Sequence, residues 1–106
     1  MSTHVRTAVS RAREVIRMAR ILAIYRILLD GTLEEGEVLE RMRGELEGRG
    51  FRLEGHEVNP IGFGIVSITV RVTAPEEDGI TDEISNILEG MEGVSSVELD
   101  MVSRVG

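Results

Sequence analysis

The stretch Asn59-Pro60-Ile61-Gly62-Phe63-Gly64 constrains this chain more than any other. Pro60 fixes its own φ, lacks an N–H and pushes Asn59 toward extended geometry, so the chain cannot pass through here as one central strand. Gly62 and Gly64 reach positive φ at little steric cost and suit a turn. Phe63 stands between them, one of two phenylalanines in the sequence. Two placements are open for its ring. It folds back to cap the core, as in an ordinary hairpin loop, or it points outward from a stiff tip, as an interface hot spot does.

At 106 residues the chain suffices for one domain with a single modest core. The absence of cysteine excludes disulfides, thiolate nucleophiles and cysteine-based metal sites. All 12 basic residues are arginine, which removes Schiff-base and general-base chemistry by lysine. His4 and His56 are too few and too far apart in sequence for a histidine metal cluster. His56 has no carboxylate or serine at triad-like spacing and reads as a surface or cross-strand hydrogen-bonding group. No catalytic residue, cofactor or metal ligand is therefore expected. No apolar run reaches the length of a membrane span. A net charge of −7 argues against nucleic acid or an anionic membrane as partner and favours a basic protein surface. The cysteine-free composition fits a cytoplasmic setting.

Residues 1–18 are set apart by charge. Arg6, Arg11, Arg13 and Arg17 face a single acid, Glu14, whereas the remaining 88 residues carry 8 arginines and 18 acids, a balance of −10. Ala8, Ala12, Val15 and Ile16 lie near helical spacing, so a short basic helix is compatible with the pattern. Three readings fit: a flexible or helical arm with an electrostatic role, an arginine-rich targeting peptide, or untranslated sequence ahead of a true start at Met18. The folded domain is expected over residues 19–106.

Within that domain Arg20–Leu29 reads as a strand that buries Ile21, Ala23, Tyr25, Ile27 and Leu29. Thr32 and Glu35 have capping-box spacing for a helix running to about Arg49. Its apolar stripe is Val38, Leu39, Met42 and Leu46, with Glu37–Arg41 and Glu45–Arg49 as i,i+4 pairs. The carboxylates of this helix have nothing apolar around them to raise a pKa and read as a solvated face. Phe51–Val58 is a second strand with a bulge or twist expected at Gly55. In Ile65–Thr73, Val66, Ile68, Val70 and Val72 alternate with polar residues, which predicts a sheet with one covered and one open side. Thr81 is the expected cap of a second helix burying Ile84, Ile87, Leu88 and Met91. Val94–Val102 is the last strand, with Val97, Leu99 and Met101 on one face and the tail beyond it free to project. The order βαββαβ predicts an α+β, ferredoxin-like split βαβ fold, a four-stranded antiparallel sheet with two helices on one face.

Asn-Pro-Ile-Gly-Phe-Gly-Ile at 59–65, the alternating strand after it, Gly79-Ile80-Thr81-Asp82 behind an acidic turn, and Glu92-Gly93-Val94-Ser95-Ser96-Val97-Glu98 together resemble the archaeal elongation factor 1 beta family. The resemblance spans roughly 19–106, and the combination of these motifs in order is more specific than either alone; residues 1–18 have no counterpart in the short archaeal members. It implies a guanine-nucleotide exchange factor for elongation factor 1 alpha that promotes GDP release and GTP reloading, with no chemistry of its own. It also implies partner-binding roles for Pro60, Ile61, Gly62, Phe63, Gly64 and Arg104. Phe63 matches an aromatic that packs near the switch and magnesium region of the GTPase. Arg104 aligns approximately with a basic residue, typically lysine, that approaches the magnesium site in eukaryotic relatives. Arginine keeps the charge but is larger, forked and less like a compact cation.

Other functions share this element order. In an ACT-like small-molecule-binding regulatory domain, Asp30-Gly31-Thr32 is the ligand turn. An RNA-recognition module needs stacking aromatics on the inner strands and basic flanks; the third strand has no aromatic, and its open face carries Arg71 as its one cation.

Overall fold

The computed structural model describes residues 19–105; the basic segment 1–18 and the readings made of it lie outside them. The elements are β1 (Arg20–Leu29), α1 (Glu35–Glu47), β2 (Arg52–Gly62), β3 (Ile65–Pro75), α2 (Ile80–Glu89) and β4 (Val94–Val105). All pairings are antiparallel and the strand order is β2-β3-β1-β4. This is the expected ferredoxin-like arrangement, with β2 and β4 as edges.

Alternation in β1 decides the core. Ile21, Ala23, Tyr25, Ile27 and Leu29 are buried, and they meet Ile68, Val70, Val72 and Ala74 of β3. Val38, Met42 and Leu46 from α1 and Ile80, Ile84 and Leu88 from α2 close the same cluster, so both helices cover one face of the sheet. Tyr25 is wholly buried, yet its hydroxyl donates to the Thr81 carbonyl at 2.8 Å, which ties the central strand to the first turn of α2. Burial pushes the Tyr25 phenol up from its ordinary value. The two i,i+4 pairs of α1 form, Arg41–Glu37 at 3.0 Å and Arg49–Glu45 at 3.6 Å.

Four local expectations are corrected. Thr32 does not cap α1. Its N–H (2.9 Å) and hydroxyl (2.6 Å) both donate to Asp30 Oδ1, a local turn that consumes the side chain, and Glu34 takes the N-cap position without a side-chain bond. Thr81 does not cap α2, because the helix already begins at Ile80 behind Gly79, whose φ of 76° suits a residue without Cβ. Asn59–Gly62 belongs to β2, where Pro60 is tolerated because the strand is an edge.

The fourth correction concerns β4. Its tail does not project: Arg104 pairs with Ile21 and Val105 with Arg20. The register shifts between Ile24–Met101 and Tyr25–Leu99, so Asp100 is an extra residue and alternation inverts there. Leu99 therefore shares the helix face with Val102 and Arg104, while Met101 turns to the open face. The bulge expected near Gly55 is present between Leu53 and Gly55.

Tyr25→Phe should lower unfolding free energy by about 1 kcal/mol, the net value of one hydrogen bond, because the ring still fills its site. Urea unfolding checks this through a lower midpoint at unchanged slope. The Asp30 carboxyl, held below its ordinary value by the two Thr32 bonds, should titrate higher in Thr32→Val, as followed by NMR. A depressed folded value stabilises at pH above the unfolded aspartate value and is lost as pH falls through the folded one. The variant should accordingly show a smaller loss of stability on acidification.

Candidate partner-docking site

The hairpin between β2 and β3 has a two-residue turn, since Gly62 pairs with Ile65. Phe63 has φ 56° and Gly64 φ 76°, the type I′ arrangement that matches strand twist. Positive φ at both positions favours Asn-Gly, and among the described residues Phe63 is the single non-glycine in that region. A Cβ there crowds the backbone at roughly 1–2 kcal/mol. No packing compensates, because the ring is fully exposed, at 105% relative exposure. Of the two placements open from sequence, the structure adopts the outward one. Ile61 at 58% and Ile65 at 42% exposure extend the apolar tip, and Val58 lies further down the same hairpin. The register shift between Pro60 and Gly62 makes Ile61 a bulged residue, which re-aims its side chain. Pro60, Gly62 and Gly64 thus shape the tip, while Ile61 and Phe63 furnish its apolar surface.

Arg104 is not part of this tip. It lies opposite Ile21, which lies opposite Ala74 near the end of β3, whereas Phe63 precedes the start of β3. At ~3.3 Å per residue, the run from Ile65 to Ala74 separates the two by roughly 30 Å. The sheet holds the two residues at opposite ends. The Arg104 guanidinium donates from Nε (3.1 Å) and from Nη2 to Glu76 Oε2, and this carboxylate raises the guanidinium's already high pKa further. Sequence reasoning missed Glu76. The available signal was that Arg104 is the lone cation after Arg71, in a stretch that opens on the acidic turn Glu76-Glu77-Asp78.

A cleft of about 500 Å³ lies beside the tip, lined by Leu29, Gly31, Leu33 and the first turn of α1. Gly31 places it beside Asp30-Gly31-Thr32, the turn that the ACT-like reading takes as the ligand turn. The Asp30 carboxylate is bonded by Thr32, and the charged side chains lining the cleft are Glu34 and Glu35. His56 is exposed on edge strand β2. Among the described residues, no group of three or more His, Cys, Asp or Glu is arranged to hold a metal ion, and no helix is long and apolar enough to cross a membrane.

A presented apolar tip on a small α+β sandwich is a docking module's geometry, and residues 24–105 match the family model described as the EF-1 guanine nucleotide exchange domain. A protein named Elongation factor 1-beta from Korarchaeum cryptofilum is 67% identical over 92 residues, covering 87% of this chain and 100% of that protein. Another so named, from Staphylothermus marinus, is 32% identical over 90 residues, covering 83% and 99%. The chain belongs to the elongation factor 1-beta family of guanine-nucleotide exchange factors. Among solved structures, the ACT domain from the GTP pyrophosphokinase of Chlorobium tepidum superposes with a TM-score of 0.56 at 18% identity, covering 76% of this chain and 99% of that one. That likeness is one of fold.

Phe63→Asn should raise stability by up to about 1 kcal/mol, because asparagine tolerates the left-handed region and no buried contact is lost. Thermal unfolding should show a Tm increase of roughly 4–8 °C per kcal/mol for a domain of this size. A decrease would mean that the ring packs on the protein in solution.

Proposed function

We propose that this chain acts in the cytoplasm on elongation factor 1 alpha and accelerates GDP release by docking Phe63 and its neighbours at one place and Arg104 at another. The reading rests first on Phe63: an aromatic held fully exposed in a disfavoured backbone conformation has no role in folding. Its natural use is in a pocket on a partner, where a buried aromatic is a common hot spot. The family and its exchange domain supply the class of partner.

No acid, base or nucleophile of the chain's own is needed for this task. An exchange factor shifts the GTPase only insofar as it binds the nucleotide-free or disrupted form better than the GDP-bound form. A ~1,000-fold weakening of GDP needs about 4 kcal/mol of differential binding. One anchoring aromatic and one cation at a metal or phosphate contact are of that scale. Because the two ends are roughly 30 Å apart, they engage separate regions of the GTPase. The twisted sheet between them, with a close-packed core, resists deformation and couples the two contacts. Pro60, Ile61, Gly62 and Gly64 complete the first contact surface. The acidic surface disfavours direct contact with nucleic acid or anionic membrane.

Release of labelled GDP from elongation factor 1 alpha tests the reading. Phe63→Ala should lose most of the acceleration, at least about 10-fold, as expected for a hot spot above 1.4 kcal/mol, while Tm does not fall. Retained exchange with Phe63→Ala would remove the tip from the docking surface.

A further inference from the structure

Glu76 sits where three strand ends converge. Its backbone N–H donates to the Ala19 carbonyl at 2.9 Å, directly ahead of β1, and its own position directly follows β3. Its side chain accepts from Arg104, near the end of strand β4, through two different nitrogens on one oxygen. Arg104 is the second-last residue of β4, an edge strand, with a side chain 74% exposed. Strand ends in such positions fray, and a long side chain there samples many rotamers. Among the described residues Glu76 is the one ion-pair partner of this guanidinium. The bond uses Nε and one Nη2 hydrogen, so among the described residues both hydrogens of Nη1 and the second of Nη2 have no other partner.

From this geometry we infer that Glu76 is a positioning residue for exchange: it holds Arg104 in a fixed orientation with its remaining donors presented to an anionic site on the GTPase. The inference rests on the proposed role of Arg104. Glu76 does not itself reach the nucleotide; it reduces the freedom that Arg104 would otherwise lose on engagement. An exposed pair of this kind contributes modestly, so the effect is a small multiple of the rate and not its abolition. Because the affinity anchor is at the far end of the sheet, the effect falls on the maximal rate and leaves half-saturation unchanged.

The test is a double-mutant cycle on GDP release, measured over a range of exchange-factor concentrations, with wild type, Glu76→Ala, Arg104→Ala and the double variant. Glu76→Ala should lower the maximal rate about 2- to 5-fold, the range of an exposed charge pair, without changing the half-saturating concentration or Tm. Glu76→Gln, which keeps an acceptor oxygen, should recover part of the loss. In the Arg104→Ala background, Glu76→Ala should have no further effect. If Arg104→Ala alone leaves exchange intact, the role of Arg104 fails and this inference with it. If Arg104→Ala impairs exchange while Glu76→Ala does not, or speeds it, Arg104 stands and Glu76 is not its positioning residue. Equal losses from Glu76→Ala in both backgrounds would likewise overturn the inference, since Glu76 would then act independently of Arg104.

Discussion

Antiparallel pairing of β1 with β3 on one side and β4 on the other fixes where every functional group in this domain can be. β1 is bonded along both edges, and its alternate residues are the floor of the core. Once Leu28 is opposite Ser67 and Ile21 opposite Ala74, the hairpin tip must rise beyond one end of the sheet. Once Ile21 is also opposite Arg104, that arginine must lie at the other. A slip of one residue would turn the buried face outward, so burial of Tyr25 and Ile27 enforces this register strongly. The two proposed contact regions are therefore held apart by the same side chains that stabilise the fold.

The tip is the place where local preference and the observed structure disagree. A type I′ turn with Phe at its first central position is disfavoured sterically, and complete exposure of the ring is disfavoured by its apolar surface. Both penalties fall on one residue, and the core does not need either. Sites that depart from local rules without a folding advantage are where function is to be sought. The glycines around Phe63 keep the turn short and free of neighbouring side chains, which leaves the ring open to a concave partner.

Much of the fold was legible because period-two and helical patterns were strong. The inner face of β1, the stripe of α1 and the alternation of β3 all follow from residue identity. The prominence of Phe63 was legible too, but its direction was not, because two glycines permit either orientation. What sequence did not reveal depends on one-residue events. The extra residue at Asp100 inverts the faces of β4, so Met101 and Val102 exchange sides without any proline or glycine to mark it. Thr32 has the spacing of a cap, yet Asp30 offers a nearer acceptor. Ser103–Val105 looked like a free tail, since three residues show no periodicity, but the edge of β1 opposite β3 extends far enough to pair with them. The Glu76–Arg104 bond then depends on that pairing, and no separation of 28 positions announces it.

The shared backbone with an ACT domain sharpens this division between fold and function. The cleft beside the first turn of α1 is a property of the topology, since the link from β1 to α1 must leave the sheet end there. In this chain its charged lining is Glu34 and Glu35, at a helix N-terminus where carboxylates are already favoured by the dipole. An anionic ligand such as an amino-acid carboxylate would meet those charges. Asp30 contributes its oxygen to Thr32 and not to the cleft. The same sheet end instead places its apolar surface on the hairpin, outside the cleft and facing away from the fold. A concave ligand site and a convex apolar tip make opposite demands on side chains, and the exposed Ile61, Phe63 and Ile65 supply the second.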